Sequence, residues 1–382
     1  VSIVLREMRP VYVIGIGLDR YQRPSERPYV EFGLAAIRSS LQDAGITWPD
    51  VESFYLGTAS LGMAPGRIMI RHLGTTGIPV AQVENASASG STSFRQAVLD
   101  VASGIVDVSL AAGVDKPSMG RIAGAGLGMR DLVNKPMAPV ASFALLANRY
   151  MAEFGTSAEQ LAAVAVKNHR NGAMNPFAQR QKERTLAEVL APPQIAGPLT
   201  RLQCCPIGEG AASVIVASEE AIARLDVDES RLVRVTATVS RSEQVYAAGE
   251  NQDSFLTEST IKLAFDQAGI GAEDLDVVEL HDAFTIEEVL YAEAMGLCEP
   301  GEAAPLIAAG EFDIGGRCAL SPSGGLLSMG HPIGPTGTGQ IAEVTRQLRG
   351  EAGIRQHPNA KVGLTHMVGV GAVCVVHILK TA

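Results

Sequence analysis

The stretch "VENASASGSTSFRQA" (Val83–Ala97) is where two periodicities meet, and its reading decides the fold. Its centre, Asn85-Ala86-Ser87-Ala88-Ser89-Gly90, is a run of small residues. Upstream, "AQVENA" reads as a strand leading into Ser87. Downstream, Phe94, Ala97, Val98 and Val101 recur on one helical face between Ser91 and Ser103. "DVSLAAGVDK" (Asp107–Lys116) then reads as a buried strand. The unit Gln82–Asp115 is therefore βαβ, with a right-handed crossover expected. The turn lifts the Ser87 hydroxyl to a helix N-terminus, where free N–H groups and the helix dipole favour negative charge. That geometry suits a nucleophile or an oxyanion, and equally a plain N-cap serine. The hydrolase elbow G-x-S-x-G is not matched, since residue 85 is Asn and residue 89 is Ser.

The same grammar runs outward from this unit. "VYVIGIG" (Val11–Gly17) reads as a strand, Tyr29–Ile46 as a helix closed by Gly45, and "VESFYLGTA" as the next strand. From Lys116 to Thr200 Gly, Met, Asn and Pro become frequent and helices lack following strands, which predicts an inserted helical loop region over the first lobe. "EGAASVIVASEEAIARL" returns to strand and helix, and a charged join at 226–234 separates the lobes. A second lobe follows: "LVRVTATVS", a helix from Ser254 to Ala268, "LDVVELHDA", a helix from Ile286 to Met295, and "KVGLTHMVGVGAVCVVHIL" as a terminal Gly-x-Gly strand. The boundaries are thus 1–230, with 116–200 inserted, and 231–382. Two similar halves suggest internal duplication.

Composition narrows the function classes. The 382 residues are 46% apolar and 19% charged, with 40 glycines, as expected for a large α/β core with tight turns. A net charge of −10 argues against a nucleic-acid groove or an anionic membrane surface. No apolar run approaches the ~20 residues of a membrane span, and the first residues do not read as a signal peptide. Five scattered cysteines without a CxxC pair encode neither a zinc site nor a disulfide scaffold. The expectation is a soluble, cytoplasmic protein with no metal.

Three further stretches place polar groups where strands meet turns, the ligand-facing edge of α/β sheets. "ELHDAF" (Glu279–Phe284) sets His281 straight after an apolar strand, as a functional or a structural histidine. "SPSGGLLSMGHPIGPTGTGQ" (Ser321–Gln340) spends six glycines and three prolines around one imidazole, His331. A Gly-rich loop could be a turn or a phosphate cradle, but the Gly-Lys-Ser/Thr of a nucleotide P-loop is absent, so a nucleotide is not implied, and an imidazole held in such rigid surroundings reads as catalytic. In the last stretch, Gly369 and Gly371 suggest close backbone approach to a strand or a ligand oxygen.

Taken in order, "NASASGS", "HDAF", "GGLLSMGHPIGPTG" and the terminal Gly-x-Gly resemble the thiolase superfamily, closest to its sterol-carrier-protein-type and archaeal-type branches. Supporting stretches are "DVSLAAGVDKPS", "VAVKNHRNGAMNP" and "CCPIGEGAASVIVAS". The resemblance spans nearly the whole chain. It implies an α/β fold of two duplicated βαβαβ lobes in a layered α-β-α-β-α core, and a homodimer or larger assembly.

It also implies roles. Ser87 stands where thiolases carry the acylated cysteine. His331 corresponds to the histidine that activates it, and His281 to an oxyanion-hole residue for the enolate. The backbone of Gly369 joins that of Ser87 in a second oxyanion hole. The acid/base cysteine has no counterpart, since Met367 and Ala283 fill its two known positions; His366 is the local candidate for a proton shuttle. Cys318 and Cys374 match no role and read as plain buried residues. Arg121, Arg130, Lys167, Ser323 and Gly324 are the candidates for binding the acyl-CoA and CoA. Coenzyme A is a cosubstrate and no cofactor is expected. The branch often works with a small zinc-binding OB-fold partner.

The expected activity is CoA-dependent cleavage, or Claisen formation, of a 3-oxoacyl-CoA, with Ser87 natural or engineered. Retro-aldol cleavage of a β-hydroxyacyl-CoA and a non-catalytic subunit remain alternatives. A lipid carrier or scaffold would instead show an open apolar cavity and no binding of CoA.

Overall fold

The computed structural model describes residues 5–117, 139–246, 252–369 and 373–382. The first half runs β1 (Tyr12–Gln22), α1 (Tyr29–Ala44), β2 (Ser53–Gly57), α2 (Pro65–Ile70), β3 (Val80–Val83), α3 (Ser89–Ala102) and β4 (Val108–Asp115). Helices α4 (Pro139–Phe154), α5 (Ala158–Ala173) and α6 (Leu186–Leu190) and a two-strand ribbon, β5 (Gln194–Ala196) and β6 (Leu199–Thr200), follow. β7 (Glu209–Ala217) and α7 (Glu219–Leu225) return to the first half. The second half comprises β8 (Val233–Ser242), α8 (Gln252–Ala268), β9 (Val277–Glu279), α9 (Thr285–Ala294) and α10 (Ala303–Ala309). It is completed by β10 (Ala319–Leu320), α11 (Gly325–Ser328), α12 (Ile333–Leu348), β11 (Val362–Gly369) and β12 (Val373–Thr381).

The strands order as β3-β2-β4-β7-β1-β8-β12-β11-β9-β10. The central join, β1 to β8, is made by only two residue pairs, Tyr12–Arg234 and Val13–Val233. Outward from it the halves repeat: two antiparallel pairings, then two parallel ones. The duplication is therefore carried by topology. Both faces are covered, as a buried mixed sheet requires. Along β7, Ala211, Ile215 and Ala217 pack with the apolar residues of α1, while Ala212, Val214 and Val216 pack with those of α3 and α12. Helices α3 and α12 touch each other and both sheet halves, and α8 covers β8 and β12. This gives the five-layer arrangement.

Three local expectations are corrected. The terminal stretch is a hairpin: β11 and β12 pair antiparallel from Val362–Lys380 to Gly369–Val373. Both arms are buried on both faces almost throughout, so neither shows the alternation that would separate two strands. The Ser321–Gln340 stretch is a loop only in part, because from Ile333 it is the helix α12. Its glycines serve helix contact: a Cβ on Gly337 would lie 2.2 Å from Ser91 Oγ, and one on Gly90 2.4 Å from Gly334 O. Finally, the inserted region lies against the second half. Helix α5 starts at a Ser157–Gln160 capping box and buries Leu161, Val164 and Ala165 in one cluster with Ile286, Val289, Ile307 and Leu326.

Candidate active site

The Ser87 turn is tightly determined. Ala86 adopts a left-handed conformation (φ 48°), which costs a residue with a Cβ about 1–2 kcal/mol. Hydrogen bonds hold it there. The Ala86 N–H donates to Glu84 Oε1 (2.8 Å), the Asn85 N–H to Ser89 Oγ (2.8 Å), and Ser89 Oγ to Ala86 O (2.6 Å). Helix α3 begins at Ser89 with Ala88 as its N-cap residue, so Ser87 is not the cap. Its hydroxyl instead lies 3.1 Å from His331 Nε2.

The glycine contact between α3 and α12 brings these two residues together, and Asp115 at the end of β4 fixes the second helix. Its carboxylate accepts from Gly334 N–H (2.6 Å) at the start of α12, and from Thr58 Oγ (2.7 Å), Ala59 N–H (3.0 Å) and Ser60 N–H (2.8 Å). An anion at that end also complements the helix dipole.

The second nitrogen of His331 is also engaged. Nδ1 lies 2.9 Å from Thr336 Oγ, and that hydroxyl donates to Pro332 O at 2.6 Å. With its only proton committed there, Thr336 accepts from Nδ1–H. Nε2 then carries a lone pair toward Ser87. Burial, with His281 adding to it, lowers the His331 pKa well below its ordinary value, which keeps the ring neutral. A neutral imidazole with its free lone pair on a hydroxyl is a general base.

His281 meets His331 edge-on, with ring centroids 5.3 Å apart. Its Nδ1 lies 2.8 Å from Glu287 Oε1, and its Nε2 is buried without a partner. Glu287 also caps the start of α9 through the Phe284 N–H (2.9 Å). The adjoining Asp282 accepts from Asn168 Nδ2 (2.6 Å) and Leu326 N–H (2.7 Å), tying the His281 turn to α5 and α11. Burial, and Glu288 nearby, raise its pKa well above the usual range.

Gly369 lies against the Ser87 turn, since a Cβ there would be 2.5 Å from Asn85 O. Met367 packs with Ala88. His366, one residue away on the strand, takes the opposite side, 3.0 Å from Thr257 Oγ and against the Tyr291 ring. Burial lowers its pKa to about 3. It therefore does not sit with Met367 at the serine turn, which corrects the proton-shuttle expectation.

The candidates for CoA contact are also revised. Lys167 is buried, 2.9 Å from Glu288 Oε1 and bonded to Asn168 Oδ1 and Leu320 O (both 2.6 Å). Its charge is spent inside the protein. Ser323 is buried as well, donating through N–H and Oγ to Glu279 (2.8 and 2.7 Å). Gly324 packs on α5, where a Cβ would be 2.6 Å from Gly172 Cα. Arg121 and Arg130 lie outside the described residues. Cys318 and Cys374 are buried, and burial pushes both thiols up to about 12.

Sequence reasoning passed over Thr336, Glu287, Asn168 and Asp115. Two had a local signal: Glu287 stands three residues after Phe284 at a helix start, and Thr336 lies within a turn of His331. No helix among the described residues is long and apolar enough to cross a membrane, and no cluster there has the donors of a metal site.

Comparison with known proteins identifies the family. Residues 22–220 match the family model "Thiolase, N-terminal domain", and residues 239–381 match "Thiolase C-terminal domain-like". The chain is 37% identical over 370 residues to the benzoylsuccinyl-CoA thiolase subunit BbsB of Thauera aromatica, covering 95% of each. It is 35% identical to sterol carrier protein 2 of Homo sapiens, over 98% of this chain and 72% of that protein. It is also 35% identical to an acetyl-CoA acetyltransferase of Methanothermobacter thermautotrophicus, over 98% of this chain and all of that one. A solved "Ltp2-ChsH2(DUF35) aldolase" superposes with a TM-score of 0.82 at 25% identity, over 97% of this chain and 98% of that chain. Human mitochondrial 3-ketoacyl-CoA thiolase shares the fold, with a TM-score of 0.75 over the full length of both chains at 17% identity. The chain belongs to the thiolase family of acyl-CoA acyltransferases.

Proposed function

We propose that the protein cleaves a 3-oxoacyl-CoA with coenzyme A, using Ser87 where thiolases carry a cysteine. The observation that carries this reading is the 3.1 Å contact of Ser87 Oγ with His331 Nε2, combined with the Thr336 contact that leaves Nε2 unprotonated. A serine needs such a base because its hydroxyl is far less acidic than a thiol of pKa about 8.5.

His331 takes the Ser87 proton as Oγ adds to the C3 carbonyl. The resulting oxyanion is met by the backbone N–H groups of Ser87 and Gly369. The C2–C3 bond then breaks and its electron pair passes into the enolate of the shortened CoA ester. His281, held through Nδ1 by Glu287 and with Nε2 buried without a protein partner, is the side chain that meets that enolate oxygen. The proton held on His331 returns to C2, and the first product leaves. Coenzyme A next attacks the Ser87 ester as His331 takes the thiol proton; an acyl-CoA departs and Ser87 regains its proton. One base serves both halves, so this route needs no thiol at Ala283 or Met367.

A second reading is retro-aldol cleavage of a β-hydroxyacyl-CoA. It is favoured by the likeness to a solved aldolase and by an alcohol at position 87. His331 would then take the proton of the substrate hydroxyl, and Ser87 would only bind. Because that aldolase structure includes a DUF35 component, and Lys167 is spent internally, we also propose an OB-fold partner that helps hold CoA. A homodimer is expected from the family resemblance.

The test incubates the protein with a 3-oxoacyl-CoA panel and CoA, following the two shorter CoA esters by chromatography. The thiolase reading predicts CoA-dependent products, reduced by about 10³-fold or more in Ser87→Ala. Release of a carbonyl product and acetyl-CoA from a β-hydroxyacyl-CoA, without added CoA, favours the second reading.

A further inference from the structure

Arg180 connects the two histidine-bearing turns. Its backbone N–H donates to Ser328 O (3.0 Å) and that of Gln179 to Met329 O (2.9 Å), two residues before His331. Its Nη1 donates to Leu327 O (2.9 Å) and Cys204 O (3.1 Å). Cys204 pairs with Phe284, and the Cys205 N–H donates to Ala283 O (2.8 Å), so that contact reaches the turn carrying His281.

No carboxylate among the described residues pairs with this guanidinium. Burial lowers its pKa to about 10, and Arg201 and Arg184 nearby repel it further. Arg184 is paired with Glu188 (3.2 Å), whereas among the described residues the Arg180 side chain donates to neutral carbonyls. His169, fully buried in the same electropositive region, has Nδ1 without a partner, and its pKa is lowered to about 4 by burial and Arg180. A part-buried guanidinium whose partners among the described residues are carbonyls keeps donors for an anion. Beyond Nη1, its N–H groups make no hydrogen bond among the described residues, and a guanidinium edge matches a carboxylate or phosphate.

We propose that Arg180 is the subsite for an anionic oxygen group of the CoA ester, and that its place between the two histidine turns assigns it a carboxylate on the acyl chain. A phosphate of CoA is the other source of that chemistry, and it belongs at the far end of the pantetheine arm. The inference rests on the acyl-CoA reading and narrows the substrate to acyl groups bearing a second carboxylate.

Equilibrium binding tests it without requiring turnover. Succinyl-, glutaryl- and adipoyl-CoA are compared with butyryl-, pentanoyl- and hexanoyl-CoA, with free CoA as reference. At one or more chain lengths, the diacid ester is expected to bind at least about 10-fold tighter than its neutral partner, the contribution of one charge-assisted pair. Arg180→Gln should bring that ratio near one, and Arg180→Lys should keep part of it. Equal binding of diacid and neutral esters by the unmodified protein overturns the assignment, whatever the variants do. So does an Arg180→Gln loss shared by free CoA and all esters but absent with 3′-dephospho-CoA, which identifies a phosphate instead. If neither CoA nor any ester binds, the acyl-CoA reading itself fails, and this subsite with it.

Discussion

Thr336 holds His331 in one tautomer. The hydroxyl lies 2.9 Å from Nδ1 and donates its proton to Pro332 O at 2.6 Å, so the imidazole keeps its proton on Nδ1 and offers Nε2 to Ser87. Thr336→Val preserves shape but removes the acceptor. The acylation step should slow by about 10–100-fold, the usual effect of losing a group that orients a histidine. KM should change little, and Thr336→Ser should restore most of the rate. Single-turnover kinetics on the three proteins checks this.

Because burial and His281 keep the His331 pKa well below 6.5, the base stays unprotonated where an ordinary histidine would titrate. The acylation rate should therefore be flat as pH falls from 8 through 6.5, with its acid limb displaced to lower pH. A rate that halves near pH 6.5 would show an ordinary imidazole in this role.

The crossing of α3 and α12 sets the Ser87–His331 distance. In Gly337→Ala the new methyl would lie 2.2 Å from Ser91 Oγ and 2.6 Å from Ser91 N. The helices must separate, at a stability cost of about 1–3 kcal/mol. Activity at a temperature well below the melting transition should fall further than that loss implies, because the catalytic contact opens. Thermal melts alongside initial rates separate the two effects.

Glu279 lies beneath the site and is pushed up to about 8 by burial and by Glu343. Its folded pKa exceeds the unfolded one, so its contribution is fully present below pH 4.5 and is lost as pH rises toward 8. Glu279→Gln keeps an acceptor for Ser323 and removes the titration. The variant should gain stability relative to the parent as pH rises from 5 to 8, by no more than about 1.4 kcal/mol per unit, with the gap levelling above pH 8. Denaturant melts across that range check the sign.

The fold was legible where short apolar runs alternated with helical stripes, as in the β3–α3–β4 unit around Ser87. It was less so where one kind of segment hid another. The glycines of α12 look like loop residues because close helix contact and chain reversal use the same amino acid, and only the partner helix distinguishes them. The β11–β12 hairpin was hidden because two buried strands in succession read as one. Ser87, His281 and His331 stood out by position at strand-to-turn junctions. Lys167 misled because a cation in the sequence carries no sign of the Glu288 that neutralises it 121 residues later. Arg180 was overlooked for the converse reason, since nothing local shows that no carboxylate among the described residues pairs with it.

The most direct test of the central claim is the intact mass of the protein after exposure to acyl-CoA, with the site mapped by peptide fragmentation. The account predicts one added acyl group on Ser87, absent in Ser87→Ala, released on adding CoA, and slower to form in Thr336→Val. Turnover of a 3-oxoacyl-CoA without any acyl-serine, or with the acyl group on another residue, would contradict it.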